Sequence, residues 1–451
     1  MNRYAPLALT MLVALAGHAQ PAGPARPWET WQPPEVALPN PNAFDIYLKA
    51  FALKKQIDDA HKAPPLPGPQ APPAAPAPPG GPPPPPPPAA PPVPGGPPPP
   101  PPPGGVALQD PWPEGPFDLP LPERVALYAD VLTLVRQALT EECLIAPPAS
   151  MDEGMPYYAA FRSVARRFIM EAGARRAAGD CRGAADSALD ALEMAQDAKT
   201  QGSLMSLLVG ISCEAIALAS LDQTVPGLTG AECRDVLAHL QGIAAQRPSE
   251  VEALTGAEVH SRVYLKYFLE NPDGMRELYT RLDPPMSAAE YERLRASLPE
   301  AWQSMGQYFE QLRQEATLPC NKRAVLAPPE NVYLQPLLKS LTLTAFKDAR
   351  ATTLLRLHEL QLAAQAYLRD KGHDPAKLSD LVPDYIEQIP EDPMTGEPLR
   401  SVTRGVQFIV YSVGPDGIDD GGRVFNNKKV FSADAKGDIP MEVGSGTNRV
   451  P

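Results

Sequence analysis

Catalytic signatures are the first thing this 451-residue sequence lacks. It has no G-x-S-x-G nucleophile turn, no H-E-x-x-H zinc helix and no phosphate-cradling Walker loop. Histidine is scarce, and its six positions form no ligand or triad spacing. Glu258 and His260 are two residues apart and so face different sides of a helix, and His358-Glu359 has no second histidine four residues on. His239 and His373 read as surface or packing residues. The chain is expected not to be an enzyme; a hydrolase with an unrecognised site is the alternative furthest from this reading.

Basic runs are also missing. Forty Lys and Arg face 53 Asp and Glu, a formal net charge of −13. Nucleic acid and anionic membrane surfaces need a concentrated basic field, so neither is an expected partner. No C-x-x-C occurs among the five cysteines, which excludes zinc ribbons and thioredoxin-like redox chemistry. Beyond the N-terminus no apolar run is read as long enough to span a bilayer, so no membrane span is expected in the mature chain.

Proline is what the sequence has in excess, at 60 residues, more than twice the usual share. Twenty-six of the 60 lie between Pro64 and Gly105, with unbroken runs at Pro82–Pro88 and Pro97–Pro103. Proline lacks an amide donor and has a fixed φ, so the stretch suits neither helix nor sheet and is expected to sample polyproline II. At ~3.1 Å per residue it could reach on the order of 130 Å.

The N-terminus reads as an export signal: Arg3 supplies the positive region, Leu7–Ala16 a short apolar core, and Gly17 and Ala19 the small residues before cleavage. The expected destination is periplasmic or extracellular. Export makes disulfides a candidate feature, among Cys143, Cys181, Cys233 and Cys320, with the pairing open. Cys213 lies inside the apolar run Leu204–Leu221 and reads as a small buried hydrophobe.

The chain divides into a signal peptide at 1–19, a polar Pro-rich lead-in at 20–41, an isolated amphipathic helix at 42–62, a disordered Pro-rich linker or insertion at 63–120, an α-helical domain at 121–325 and a C-terminal module at 330–451. The isolated helix places Phe44, Tyr47, Leu48, Phe51 and Leu53 at helical spacing and is too short to stand alone, so it is expected to pack on the helical region. Within 121–325, helices are expected at Tyr157–Ala177, from Arg182, at Leu204–Leu221 as the central buried helix, at Gly230–Ala245 and at Ser249–Leu269. Alanine at close-packing positions in these pairs resembles tetratricopeptide hairpins, but no fixed period emerges. Tyr279, Leu282, Leu294, Trp302 and Phe309 are the expected contacts of the more polar stretch that follows. The fold class expected is α+β multidomain: an irregular α-helical array followed by a small α+β head.

That head begins with an amphipathic helix over Leu337–Arg369 and continues in turns. Leu378-Ser379-Asp380-Leu381-Val382-Pro383-Asp384-Tyr385 leads to Ile389-Pro390-Glu391-Asp392-Pro393-Met394-Thr395-Gly396-Glu397-Pro398. A strand over Val406–Ser412 then enters Gly414-Pro415-Asp416-Gly417-Ile418-Asp419-Asp420-Gly421-Gly422, a second strand is expected within Val424–Ser432, and Gly437-Asp438-Ile439 closes the pattern. Three carboxylates within five residues of a glycine-rich turn need a cation or full exposure.

The ordered series from Tyr367 to Ile439 resembles the globular head of the major pseudopilin of type II secretion systems. The whole layout also resembles exported bacterial proteins with an α-helical region before such a head. The first resemblance implies a calcium turn, which would draw on Asp416, Asp419, Asp420 and Asp438; Ca2+ is the only cofactor expected. It does not extend to the polymerising stem, because the helix before the head carries Lys347, Asp348, Arg350, Arg356 and Glu359. The expected role is a non-enzymatic envelope protein with protein partners, or alternatively an accessory component of a type II secretion or type IV pilus-like system.

Overall fold

The computed structural model describes residues 26–61, 119–149, 157–200, 202–280, 285–324, 326, 329–424 and 436–443. The expected signal peptide and nearly all of the Pro-rich segment lie outside the described residues, as does most of the strand expected within Val424–Ser432. The chain is mostly helical, with one small antiparallel sheet of three strands.

Helices α1 (Pro27–Thr30) and α2 (Ala43–Ala60) come first, then α3 (Leu121–Leu127) and α4 (Ala129–Ala138). The expected isolated helix is α2. Asn42 caps it, its Oδ1 accepting from the Phe44 amide at 3.1 Å and the Leu144 amide at 3.2 Å, so one side chain both starts the helix and ties it to the loop after α4. Tyr47 and Phe51 are buried against Phe161, with ring centroids 5.4 and 4.9 Å away. Leu48 is the exception to the expected apolar face: it is exposed, and Ile46 and Ala50 are buried with the aromatics instead.

Three long helices follow: α5 (Tyr157–Ala177), α6 (Cys181–Asp197) and α7 (Leu204–Thr224). The turn between α5 and α6 works because Gly179 takes φ +84° and Asp180 caps the next helix through the Gly183 amide at 2.8 Å. Helix α6 buries Ala184, Ala185, Ala188, Ala191 and Ala195, and these short side chains let α5 and α7 approach closely. Helix α7 with the short turn after it, Leu204–Gly227, is long and apolar enough to cross a membrane, with a mean hydropathy of 2.0. This corrects the expectation that no run reaches that length; 56% of its most apolar window is buried in the protein.

Capping boxes start α8 (Gly230–Ala245) at Thr229/Glu232, α9 (Glu250–Glu270) at Ser249/Glu252 and α11 (Ala288–Ala316) at Ser287/Glu290. Between the last two lies α10 (Pro272–Thr280). Helices α9 to α11 form a second apolar cluster around Phe268, Leu294, Trp302 and Phe309. Trp28 and Trp31 close it by packing edge-on against Trp302, with centroids 6.4 and 5.5 Å away.

Helix α12 (Leu334–Lys371) joins both clusters. Its sequence reads as amphipathic, yet Leu357–Ala366 is buried throughout, packed by α7, α8 and the sheet, with only Glu359 bordering a cleft. The centre of the molecule is therefore α12 rather than α7, which leaves Met205 exposed. Gly372, at φ +78°, ends the helix.

The sheet runs β1 (Arg400–Arg404), β2 (Gln407–Ser412), β3 (Ile439–Val443) in that order, with Val402 opposite Ile409 and Val410 opposite Met441. β2 is the expected strand; β1 has no apolar run to announce it and was not expected. Phe408, Val410 and Val443 enter the same apolar cluster as α7, α8 and α12. The backbone amides of Cys320 and Asn321 donate to the Pro393 and Met394 carbonyls, at 3.2 and 2.9 Å, and so bind the helical region to the head.

Candidate functional site

The turn series of the head is organised by one buried carboxylate. Asp392 is 2% exposed. Its Oδ1 accepts from the Met394 amide and the Ser412 hydroxyl, both at 2.9 Å, and its Oδ2 accepts from the Val413 amide at 3.2 Å. The side chain thus closes its own turn and anchors it to the end of β2. Burial raises its pKa, while those donors and the Arg356 charge oppose the rise.

Beyond β2 the acidic turn folds over the sheet. A side chain on Gly422, at φ +75°, would stand 3.2 Å from the Tyr411 ring and 3.3 Å from Val402, so only glycine fits against this face. Asp438, from the far side of the turn, accepts from the amides of Asp420, Gly422 and Arg423. Asp419 accepts from Arg400, from the Gly421 amide at 2.8 Å and from the Tyr411 hydroxyl at 3.1 Å. Burial would raise the Asp419 carboxyl, but those donors hold it below the usual carboxylate range. Asp416 accepts from the Ile418 amide at 3.2 Å, and Asp420 contributes its amide to Asp438. Of the four residues assigned to calcium, Asp419 and Asp438 serve as acceptors that close the turn. Among the described residues no group of three His, Cys, Asp or Glu side chains is placed to hold a metal ion. The arrangement does not fit a ready-made calcium cage, since a cation would have to share these oxygens with N–H donors and with the Arg400 guanidinium.

All five cysteines are free thiols. The disulfide candidates Cys143, Cys181, Cys233 and Cys320 are therefore corrected, because each sits in its own surroundings. Cys143 lies between the Asp197 carbonyl and the Thr200 hydroxyl, Cys181 beneath Gly227, Cys233 in the core of α8 and Cys320 in the turn that meets the head. Burial raises the Cys233 thiol to about 12 and the Cys213 thiol to about 12, far from reactive thiolates. His358 is buried between the carbonyls of Leu354 and Leu218, and His260 bonds the Gly256 carbonyl; both are packing histidines.

Two roomy clefts stand out among the described residues. One is an open apolar cleft of about 450 Å³ between α9, α10, α11 and the start of α12. Tyr264, Phe268, Tyr279 and Tyr333 line it, with Val332 exposed at its edge. Burial raises the pKa of all three tyrosines, and among the described residues none of their hydroxyls has a hydrogen-bond partner. The other is a polar cleft of about 370 Å³ where α8 and α12 meet the head loop before Glu391. Sequence reasoning missed both, because their walls come from segments far apart in the chain.

A buried charge cluster completes the inventory. Glu214 of α7 accepts from Lys199 and from Arg247 at 3.1 Å, and Arg247 bonds Asp348 of α12 at 2.7 Å. Burial alone would raise the Glu214 carboxyl, but Arg247 and Lys199 bring it down to about 2. The four charges cancel and link α6, α7, α8 and α12. The network holds helices together and faces neither cleft.

No protein-family model matches the chain, and neither a curated protein nor a solved structure does.

Proposed function

We propose that this is an exported, non-enzymatic envelope protein in which an irregular helical scaffold carries a pseudopilin-like head and binds an extended, proline-rich peptide. The aromatic cleft is the observation that carries the reading. Three tyrosines line this open apolar groove, and their hydroxyls, which have no protein acceptor among the described residues, are donors that an acceptor-rich ligand can satisfy. A proline-rich strand is the complementary object: it presents carbonyl acceptors, has almost no N–H donors of its own, and lays flat rings on aromatic faces. The sequence itself carries such a stretch at 64–105, and that stretch is the occupant assigned here.

The test uses a chain in which 64–105 is replaced by Gly/Ser of equal length, titrated with a synthetic peptide spanning Pro97–Pro103. Saturable binding that weakens at least tenfold in the Tyr264→Phe/Tyr279→Phe/Tyr333→Phe variant supports the reading. An absence of binding, or equal binding by the triple variant, overturns it. A photo-crosslinking residue at Val332 in the full-length chain should become joined to 64–105, and crosslinks solely to other segments or molecules would refute that occupant.

The secretion-system reading draws on the head. Its turns close through Asp392 and Gly396, but α12 lies buried in its own molecule and offers no apolar stem for a filament. Co-purification of secretion-system proteins with the full chain, lost on removing 330–451, would favour that alternative.

A further inference from the structure

The polar cleft contains a side chain that the fold does not explain. Glu359, in the middle of α12, is 7% exposed and lines a space of about 370 Å³ with Gln241, Arg356, Glu387, Gln388 and Glu391. Among the described residues its carboxyl makes no hydrogen bond and no ion pair. Arg356, one residue-triplet away on the same helix, donates instead to the Glu391 carbonyl. A buried carboxyl without a partner is destabilising, and native proteins keep such groups for a reason. It is open to the cleft, so a ligand can reach it.

Charge decides what that ligand would be. Three carboxyls and one guanidinium wall the cleft, and α8 contributes only the neutral Gln241. The excess is negative, and the amide oxygens of Gln241 and Gln388 add further acceptors. We propose that this cleft binds a cationic nitrogen group, an ammonium or guanidinium, with Glu359 as its buried counter-ion and Glu387 and Glu391 at the mouth.

A consequence separates binding from general attraction to an acidic surface. Burial raises the Glu359 carboxyl to about 7, with Arg356 opposing the rise. The free group therefore still holds a proton in part near neutral pH, and seating a cation beside it must expel that proton. Binding should release protons near neutral pH, and the release should fall toward zero by pH 9.

The full-length chain is titrated calorimetrically with N-acetyl-argininamide, N-acetyl-lysinamide and spermidine, with N-acetyl-norleucinamide as the uncharged control, in buffers of different ionisation enthalpy. The expected result is saturable binding of at least one cationic probe and none of the control, with proton release. The first two probes stand for a basic side chain and the third for a free polyamine, so their ranking tells the two sources apart. Glu359→Gln keeps the shape and should weaken binding at least tenfold while abolishing the release. Glu387→Gln/Glu391→Gln should weaken it less and leave the release in place. No heat with any probe up to roughly 10 mM, a range that reaches weak millimolar binding, overturns the proposal. So does proton release unchanged in Glu359→Gln. The aromatic cleft plays no part in the measurement, so either proposal can fail alone.

Discussion

Replacing Glu214 by alanine is the perturbation whose size the structure defines best. The carboxyl lies within the network of Lys199, Arg247 and Asp348, and the side chains of Lys199 and Glu214 are each 1% exposed. Removing Glu214 leaves two buried cations facing one carboxylate. Breaking a buried pair by deleting one partner typically costs about 3–5 kcal/mol, because the remaining charge loses both solvent and partner. Arg247 and Lys199 hold the Glu214 carboxyl below its ordinary range, in the direction this loss requires, although burial lowers the Lys199 ammonium. The folded carboxyl lies below its unfolded value, so this contribution is present above pH 4.5 and is lost as pH falls toward 2. Urea unfolding followed by far-ultraviolet circular dichroism should show the loss at pH 7, and the melting temperature should drop by about 5 °C. Removing the cation as well should restore part of the stability. Glu214→Leu/Lys199→Met is expected to be less destabilised than the sum of its single changes by about 1–3 kcal/mol. Single changes that add to within ~0.5 kcal/mol, or a Glu214→Ala protein as stable as the parent, would refute the network as the tie between these helices.

Other perturbations test the head and its docking. Asp392→Ala strands the amides of Met394 and Val413 and the Ser412 hydroxyl; a loss of about 3 kcal/mol or more in denaturant unfolding is expected. Gly422→Ala forces a left-handed backbone on alanine and presses its methyl on Tyr411 and Val402, so a loss of about 1–2 kcal/mol is expected in the same assay. EDTA should leave the melting temperature of the whole chain unchanged, because N–H donors and Arg400 already close the acidic turn; a fall that added calcium reverses, and that Asp416→Ala abolishes, would place a cation there. Phe51→Ala should destabilise by about 3–5 kcal/mol, since its ring meets Tyr47 and Phe161 in the core, whereas Leu48→Ala should change stability by less than ~0.5 kcal/mol.

Local chemistry was the legible part of this sequence. The helices expected at Gly230–Ala245, from Ser249 and from Asn42 start where caps stand, because a cap is a relation between neighbours. The start of α11 at Ser287 was not singled out, although the same Ser-to-Glu spacing opens it. The turns through Asp392 and Gly396 were legible for the same reason. β1 was not: Arg400–Arg404 has no apolar run, and pairing with β2 alone makes it a strand. Cysteine count suggested bridges, but bridging depends on which sulfurs meet, and these five do not.

The sequence by itself determined where helices start, where the chain turns and which stretch can be neither helix nor strand, since each follows from the torsions and hydrogen bonds of adjacent residues. Tertiary structure decided which helix is central. Leu204–Leu221 is the most apolar run, yet α12 is the one enclosed, because α7, α8 and the sheet surround it and Arg247 neutralises Asp348. It also decided which charges are paired and which are left facing a cleft. Asp348 and Glu359 look alike in the sequence, eleven residues apart on one helix; only packing gave the first a guanidinium and the second an open space.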